Sequence, residues 1–236
     1  MKAIKHLLFT ILLIVTGFLG LHAQAPSSLV VTTNSDTDDA GLSLRKAIDS
    51  VAVGGTVTFD PSVFYAGGVN NTIVLSVNQD ILIDKNITIT GPVSGSGDPV
   101  ITIKVPVTSK EANGGTASDY RIFHINSGTV NISNLNFKGG DLSAKQDNVE
   151  PSRGAAIFIG GWGRVTMNNL TFSESKARKG GAVFCDGGAE LTGEKLNFFD
   201  NEALADGGAI YNSSAQSNIS NSVLVIIYKF APKCNI

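Results

Sequence analysis

The strongest constraint on this chain is a short sequence block that returns at a nearly fixed interval. Copies of Gly-(Gly/Ala)-Ala-(Ile/Val) begin at Gly154, Gly180 and Gly207, which stand 26 and 27 residues apart. A Leu-x-Phe pair follows the first two copies at the same distance, as Leu170 with Phe172 and Leu196 with Phe198; an earlier pair is Leu135 with Phe137. Repeats of 20 to 50 residues are typical of proteins in which identical structural units stack on one another.

Each repeat is predicted to contain short strands and no helix. Leu-x-Phe points two side chains to one face of a strand, and Gly and Asn turns separate such segments. No helix-length apolar pattern lies between copies, which excludes alternating βαβ units and a leucine-rich horseshoe. The sequence therefore predicts an all-β fold, a right-handed parallel β-helix of about 26-residue rungs stacked roughly 4.8 Å apart. Ile157, Val183 and Ile210 should form one inward column, beside a tight corner made by the Gly pairs.

The segment before the repeats is predicted to cap the first rung. Leu44, Ala47, Ile48 and Val51 have the spacing of one apolar helix face, and Ser43 is a suitable N-cap. A solenoid exposes its first rung unless something covers it. The expected organisation is a signal peptide at 1–25, an N-terminal cap at 26–60, a parallel β-helix at 61–224 with long loops near 104–120 and 139–153, and an atypical tail at 225–236.

The N-terminus has the pattern of a secretory signal. Lys2 and Lys5 precede an apolar run from Leu7 to Leu21, and Ala23-Gln24-Ala25 is a small-x-small cleavage site. A run of about 15 residues is short for a membrane span. The formal charge is −2, and it becomes −4 without the two signal lysines. Because no basic tract occurs, neither nucleic acid nor anionic lipid is an expected partner.

Two cysteines are too few for a disulfide scaffold. Cys185 and Cys234 could pair in an oxidising compartment, but a cysteine inside a repeat is more often a small buried apolar residue. Nucleophile motifs, Gly-rich phosphate loops and His or Cys clusters with metal-ligand spacing do not occur in the sequence.

One pair of carboxylates is a candidate catalytic pair. Glu174 and Asp200 hold the same position in successive repeats, so they should lie on adjacent rungs about 5 Å apart. A retaining glycosidase pair is separated by about 5–5.5 Å. The alternative, which we favour, is two solvated turn residues after a strand. Lys176 and Glu202 also share a repeat position, which suits a surface ion pair.

Two further groups of residues are candidate binding sites. Asp36, Asp38 and Asp39 could hold Ca²⁺ but lack a loop consensus, so a solvated entrance to the cap is the alternative. Phe158, Phe184 and Tyr211 form a second column, which should point outward if the Ile157 column points inward. A stacked aromatic ladder could bind sugar rings or a partner protein. The alternative is a stack covered by the long loops.

The repeats resemble a known family. Gly207 to Ile210 with Phe198-x-x-Asn201 resembles the Gly-Gly-Ala-Ile and Phe-x-x-Asn repeats of the polymorphic outer-membrane proteins of bacteria. Leu42 to Ile48 resembles the Cys-Ser-Leu-Arg-Glu-Ala-Ile cap motif of secreted bacterial β-helix proteins, although Leu42 replaces Cys and Lys46 replaces Glu. The resemblance implies a pectin-lyase-like β-helix that is exported, and secreted or held at the outer membrane or cell surface.

The expected function follows from these features together. We expect a non-catalytic surface or secreted protein, adhesin-like or binding a polysaccharide or a cell-surface component of a host or neighbouring cell. The apolar sequence after Asn221 departs from the repeat and is typical of a truncated fragment of a longer protein. The alternative function is a polysaccharide lyase or glycoside hydrolase on the same fold, with Glu174 and Asp200 as its acids.

Overall fold

The computed structural model describes residues 24–76, 79–106, 121–143, 152–213 and 215–226. These residues form fourteen strands, one α-helix, α1 (Leu44–Ser50), and one 3₁₀ turn (Asp38–Ala40). The first strands are β1 (Ser28–Val31), β2 (Gly55–Phe59), β3 (Thr72–Val74), β4 (Ile81–Ile83), β5 (Ile87–Thr90), β6 (Ile101–Lys104) and β7 (Phe123–Lys138). The others are β8 (Ile157–Ser173), β9 (Lys176–Lys179), β10 (Val183–Cys185), β11 (Glu190–Asp206), β12 (Ile210–Asn212), β13 (Gln216–Ser220) and β14 (Val223–Ile226).

These strands pair with one another in parallel, which confirms the predicted parallel β-helix. Stack A contains β1, β2, β5, residues 129–133, 164–168 and 190–194, and β13. Stack B contains β3, β6, residues 135–138, 170–173 and 196–198, and β14. Stack C contains β4, residues 123–125 and 157–159, β10 and β12. The long strands β7 and β8 bend around corners and so contribute to all three stacks.

The core consists of the predicted columns of apolar side chains. Leu170 pairs with Leu196, and Phe172 with Phe198, on adjacent rungs of stack B. The ring centroids of Phe172 and Phe198 are 4.7 Å apart with an interplanar angle of 6°, and both side chains are buried. Val183 pairs with Ile157 on one side and Ile210 on the other, as the repeat predicted. Burial of these columns is the main source of stability.

Each rung turns at corners where one residue has a positive φ. Three columns of corner residues are present: Asn134, Asn169, Lys195 and Asn221; Gly139, Glu174 and Asp200; and Gly154, Gly180 and Gly207. In the third column the two glycines of the repeat have different roles. Gly180 has φ 60°, and a Cβ there would meet the carbonyl oxygen of Val183 in its own rung. A Cβ on Gly181 would meet the carbonyl oxygen of Gly208 on the next rung, so this second glycine permits the close stacking.

The Asn of Phe-x-x-Asn joins two rungs from inside the core. Asn201 is 1% exposed, and its Nδ2 donates to the carbonyl oxygen of Phe172 at 2.9 Å. The backbone N–H of Ser175 donates to Asn201 Oδ1 at 3.1 Å. One rung earlier the same position holds Ser175, whose Oγ donates to the carbonyl oxygen of Gly139 at 3.0 Å. Buried polar groups need such partners, so a smaller hydroxyl can replace the amide only if it also reaches a backbone group.

The N-terminal cap has the predicted helix. Ser43 Oγ accepts a hydrogen bond from the backbone N–H of Lys46 at 3.2 Å, and Leu44, Ala47 and Ile48 are buried. Val51 directly follows the helix and is also buried. The strands β1 and β2 lie within the range 26–60 and already pair in stack A, so the solenoid begins inside the segment predicted as a cap.

Several predictions fall on residues outside the described ranges. They are Ala23 and most of the signal, most of both long loops, Cys234 and the tail beyond Ile226. Asn201 pairs with Ile226 after a shift of register between the two strands. Cys185 is buried in the core, and this burial raises the pKa of its thiol to about 12. No helix within the described ranges has the length and apolarity needed to cross a membrane.

Candidate functional site

The outer aromatic column exists, but it is not an exposed ladder. Phe158, Phe184 and Tyr211 pair on successive rungs of stack C and point away from the core. Their ring centroids are 5.6 Å and 5.2 Å apart, with interplanar angles of 9° and 15°. Phe158 is only 4% exposed and Phe184 only 1%, while Tyr211 is half-buried. The column points outward as predicted, but Phe158 and Phe184 do not present open ring faces to solvent.

Cationic side chains cover this column. Arg121 Cζ lies 4.9 Å from the ring centroid of Phe158, and Arg153 Cζ lies 4.9 Å from that of Phe184. Lys179 Nζ lies 5.1 Å from the ring centroid of Tyr211. A guanidinium or ammonium over an aromatic face is attracted by the ring quadrupole. The column is thus a structural element that joins rungs, and its one accessible ring is that of Tyr211.

Each of these cations also has an acidic neighbour. Arg121 Nε lies 3.5 Å from Asp80 Oδ2, and Lys179 Nζ lies 3.3 Å from Asp206 Oδ2. Arg153 Nη1 lies 4.0 Å from Asp186 Oδ1. The sequence held a signal for this arrangement, because Arg153 and Lys179 directly precede the corner glycines Gly154 and Gly180. The column is therefore charge-balanced as well as covered.

Glu174 and Asp200 share one corner on adjacent rungs, as their repeat position predicted. Both have a positive φ, 56° and 55°, and both are exposed. Lys138 Nζ lies 2.7 Å from Glu174 Oε1. General acids in glycosidases lie in apolar or buried sites. Glu174 and Asp200 are exposed and Glu174 is paired with Lys138, so this geometry fits the solvated-turn interpretation better than a catalytic pair. Lys176 and Glu202 form the predicted ion pair at 3.5 Å.

The three acidic residues near the cap have protein partners. Asp36 accepts hydrogen bonds from Arg45 Nε and Nη2, both at 3.0 Å, and is buried. Asp38 Oδ1 accepts from the backbone N–H of Ser43 at 3.1 Å, and the hydrogen bonds from Ser43 lower the pKa of this carboxyl. Asp39 Oδ2 accepts from Thr37 Oγ1 at 2.8 Å. Among the described residues, no three His, Cys, Asp or Glu side chains lie close enough to hold a metal ion.

A cavity of about 320 Å³ lies between the cap and β4. Its charged lining is held by internal contacts, since Arg45 also donates to the carbonyl oxygens of Gln79 and Asp80 at 3.1 and 3.0 Å. Arg45 belongs to the segment that resembles the cap motif, and these hydrogen bonds hold helix α1 against the residues just before β4. The cavity is therefore best explained as part of the cap.

Trp162 is a functional candidate that the repeat analysis missed. It is the single tryptophan of the chain, and its side chain is 80% exposed. It lies on β8 opposite Ser127 of β7. Trp is usually well buried, so one that stands in solvent is a candidate contact for a ligand or partner. The only sequence signal was Trp itself between glycines, in Gly160-Gly161-Trp162-Gly163, where the repeat has no equivalent aromatic residue.

Trp162 stands at one end of a flat, polar surface, which we call the polar face. It consists of the outward side chains of residues 127–133, 162–168, 190–194 and 216–220. Along β8 the residues 162, 164 and 166 are exposed while 163, 165 and 167 are buried, as expected for a strand with one face on the core. This is an extended surface with hydroxyl, amide and charged groups beside one large aromatic ring.

The architecture defines the class of protein, a capped parallel β-helix solenoid. Within it, residues 195–213 match the Chlamydia polymorphic membrane protein (Chlamydia_PMP) repeat. This segment begins at the corner residue Lys195, contains the buried Asn201 and the corner residue Gly207, and ends after β12. The chain is thus similar over this rung to a repeat of bacterial outer-membrane surface proteins. No curated protein and no solved structure matches the chain.

Proposed function

We propose that this protein is exported by a bacterium and acts at its surface as a non-catalytic, adhesin-like binding protein. The observation that carries the proposal is the match to the polymorphic membrane protein repeat at residues 195–213, because these residues build a rung of the solenoid. Parallel β-helices offer long, regular outer surfaces, and such surfaces suit extended ligands or partners.

Among the described residues, the hydrogen bonds nearest to the N-terminus are compatible with export. The backbone N–H of Ala52 donates to the carbonyl oxygen of Pro26 at 2.8 Å, and that of Thr56 donates to Ser27 at 2.9 Å. The predicted cleavage site ends at Ala25, one residue before the first of these contacts. Removal of residues 1–25 would therefore leave both of these hydrogen bonds intact.

The proposal is tested on intact cells and with the purified chain. Protease added to intact cells of the bacterium that makes the protein should degrade it, while a cytoplasmic marker survives. The purified chain should sediment with whole cells or with particulate polysaccharide and release no new reducing ends. Protection of the protein from protease until the cells are lysed would overturn the surface location.

The same assay examines the enzymatic alternative. Polysaccharide cleavage that is lost in Glu174→Gln and in Asp200→Asn, but kept in the control Glu202→Gln, would replace the binding function by a lyase or hydrolase. Glu202 is a suitable control because it lies on the same strand as Asp200 and forms its own ion pair with Lys176.

A further inference from the structure

We propose that the polar face binds a neutral polysaccharide chain, with Trp162 stacked on one of its sugar rings. This inference rests on the proposed function and names the site and the class of ligand. The aromatic column predicted from the repeat does not provide this site, because cations cover Phe158 and Phe184.

The surroundings of Trp162 leave its ring open. Gly161 and Gly163 flank it, and a Cβ on Gly161 would lie 2.6 Å from the carbonyl oxygen of Gly187 on the next rung. A Cβ on Gly188, which has φ 91°, would lie 2.9 Å from the carbonyl oxygen of Gly161. Side chains are thus excluded at Gly161 and Gly188 by close backbone contacts between the two rungs, and the side chain of Trp162 is 80% exposed. An open aromatic face of this kind suits the apolar face of a pyranose ring.

The neighbouring side chains supply hydrogen-bonding groups for sugar hydroxyls. Thr166 follows Trp162 on the same face of β8, and it lies between Asn131 on the rung before and Thr192 on the rung after. All three are exposed. Rungs repeat at about 4.8 Å, so these three groups form a regular row across the rungs. A polysaccharide also presents hydroxyl groups at regular intervals.

The charges of the polar face favour a neutral ligand. Arg164 Nε lies 3.1 Å from Glu190 Oε1, so the cation two residues after Trp162 on the same face of β8 is already paired with a carboxylate. Glu194 adds a further acidic group, within 3.5 Å of the amide of Asn168. A polyanion would meet repulsion here. Between β11 and β13 the surface has a depression of about 210 Å³ with a mainly polar lining that includes Thr192 and Asn218.

The single tryptophan makes binding directly measurable. Emission of Trp162 in the purified chain is titrated with hexasaccharides of β-1,4-linked glucose, mannose, xylose and N-acetylglucosamine, and with polygalacturonate as the anionic probe. We expect a saturable change with at least one neutral hexasaccharide and none with polygalacturonate. No change with any neutral hexasaccharide, or a change with polygalacturonate alone, would overturn the proposal.

Variants then separate a stacking role from a general effect of exposed side chains. By calorimetry, Trp162→Ala should bind the same hexasaccharide at least about tenfold more weakly. The control Phe199→Ala removes another exposed aromatic ring, on β11 next to stack B, and should bind as the native chain does. Thr166→Val should weaken binding severalfold, whereas its control Thr171→Val, on the outward face of stack B, should not.

The outcomes also distinguish this site from the proposed function. Equal affinity of Trp162→Ala and the native chain would overturn the site. If the variant then still sedimented with cells, the surface-binding function would stand without it. If the native chain bound neither cells nor saccharides, both would fail.

Discussion

Two columns of stacked aromatic rings run along the same solenoid, one inside the core and one outside it. The inner column contains Phe172 and Phe198, with ring centroids 4.7 Å apart, and the outer contains Phe158 and Phe184, 5.6 Å apart. All four rings are buried. The inner rings pack among the aliphatic side chains of the core cluster, whereas the outer rings lie outside that cluster and are covered by Arg121 and Arg153.

The comparison separates two properties that strand alternation alone does not distinguish. Alternation decides toward which side of the sheet a ring points, and for the outer column this was predicted correctly. Exposure is decided by what lies over that side. Each cation comes from the rung before the ring that it covers, 31 residues upstream for Arg153 over Phe184 and 32 for Lys179 over Tyr211. A ring that points outward is therefore not necessarily available to a ligand.

Removal of an inner ring should have the largest effect. Phe172→Ala opens a cavity in the middle of the stack and removes the stacking contacts with both ring neighbours, Phe137 and Phe198. We expect the free energy of unfolding to fall by about 3–5 kcal/mol, measured by urea denaturation. Phe172→Leu keeps most of the apolar volume and should cost much less. Equal losses in the two variants would mean that ring stacking, rather than filled volume, holds the inner column together.

Removal of an outer ring should cost less. In Phe184→Ala the side chain of Arg153 can move toward water, whereas the core residues around the inner column cannot. We expect a loss of about 2 kcal/mol in the free energy of unfolding, below the range for a core phenylalanine. A loss equal to that of Phe172→Ala would show that the outer column is a second core, which stabilises the chain as much as the inner column does.

The repeat predicted the periodic part of the molecule and missed the parts that are not periodic. The columns of Ile157 and Phe172 follow directly from the spacing, because stacking places equivalent residues over one another. The cap helix followed from the apolar spacing of Leu44 and Ile48. Trp162 occurs once, so no repeat position drew attention to it.

Corner conformations were predictable only where glycine or asparagine marks them. Gly180 and Asn169 indicated their corners, but Lys195 holds a positive φ equivalent to that of Asn169 one rung later. Asn adopts this conformation more readily than most residues, while a lysine there carries no sequence signal. The exposure of the outer rings was equally hidden, since it depends on how Arg153 folds back over Phe184 in three dimensions.

Alkaline pH should destabilise the folded chain through a residue on the inward side of β10, whereas the residue beside it on the outward side does not titrate. Phe184 points outward, and its neighbour Cys185 points into the core, where burial raises the pKa of the thiol to about 12. The unfolded chain ionises this thiol near a pKa of roughly 8.5, so the folded state is favoured fully below that pH and loses stability as pH rises toward 12.

For the reduced protein we expect Cys185 to account for a loss of about 1 kcal/mol in the free energy of unfolding between roughly pH 8 and pH 9.5. Cys185→Ala removes this ionisation but leaves Cys234 and all other titrating groups, so the difference between the two proteins isolates it. Identical pH dependence would mean that the thiol can ionise in the folded state and that the inward side of β10 admits water.

The smallest predicted effect tests whether the cation itself, and not only its bulk, stabilises the outer column. Arg153→Met keeps a long apolar side chain over Phe184 but removes the charge, and we expect a loss of about 1 kcal/mol by urea denaturation. In a double-mutant cycle with Phe184→Leu, the coupling energy should be about 0.5–1 kcal/mol. Lys138→Met is the matched control, because Lys138 pairs with the exposed Glu174 and should contribute little, in a salt-dependent way. Additive effects of Arg153→Met and Phe184→Leu would mean that the arginine covers the ring without being attracted to it, and the outer column would then differ from the inner one only in what lies over it.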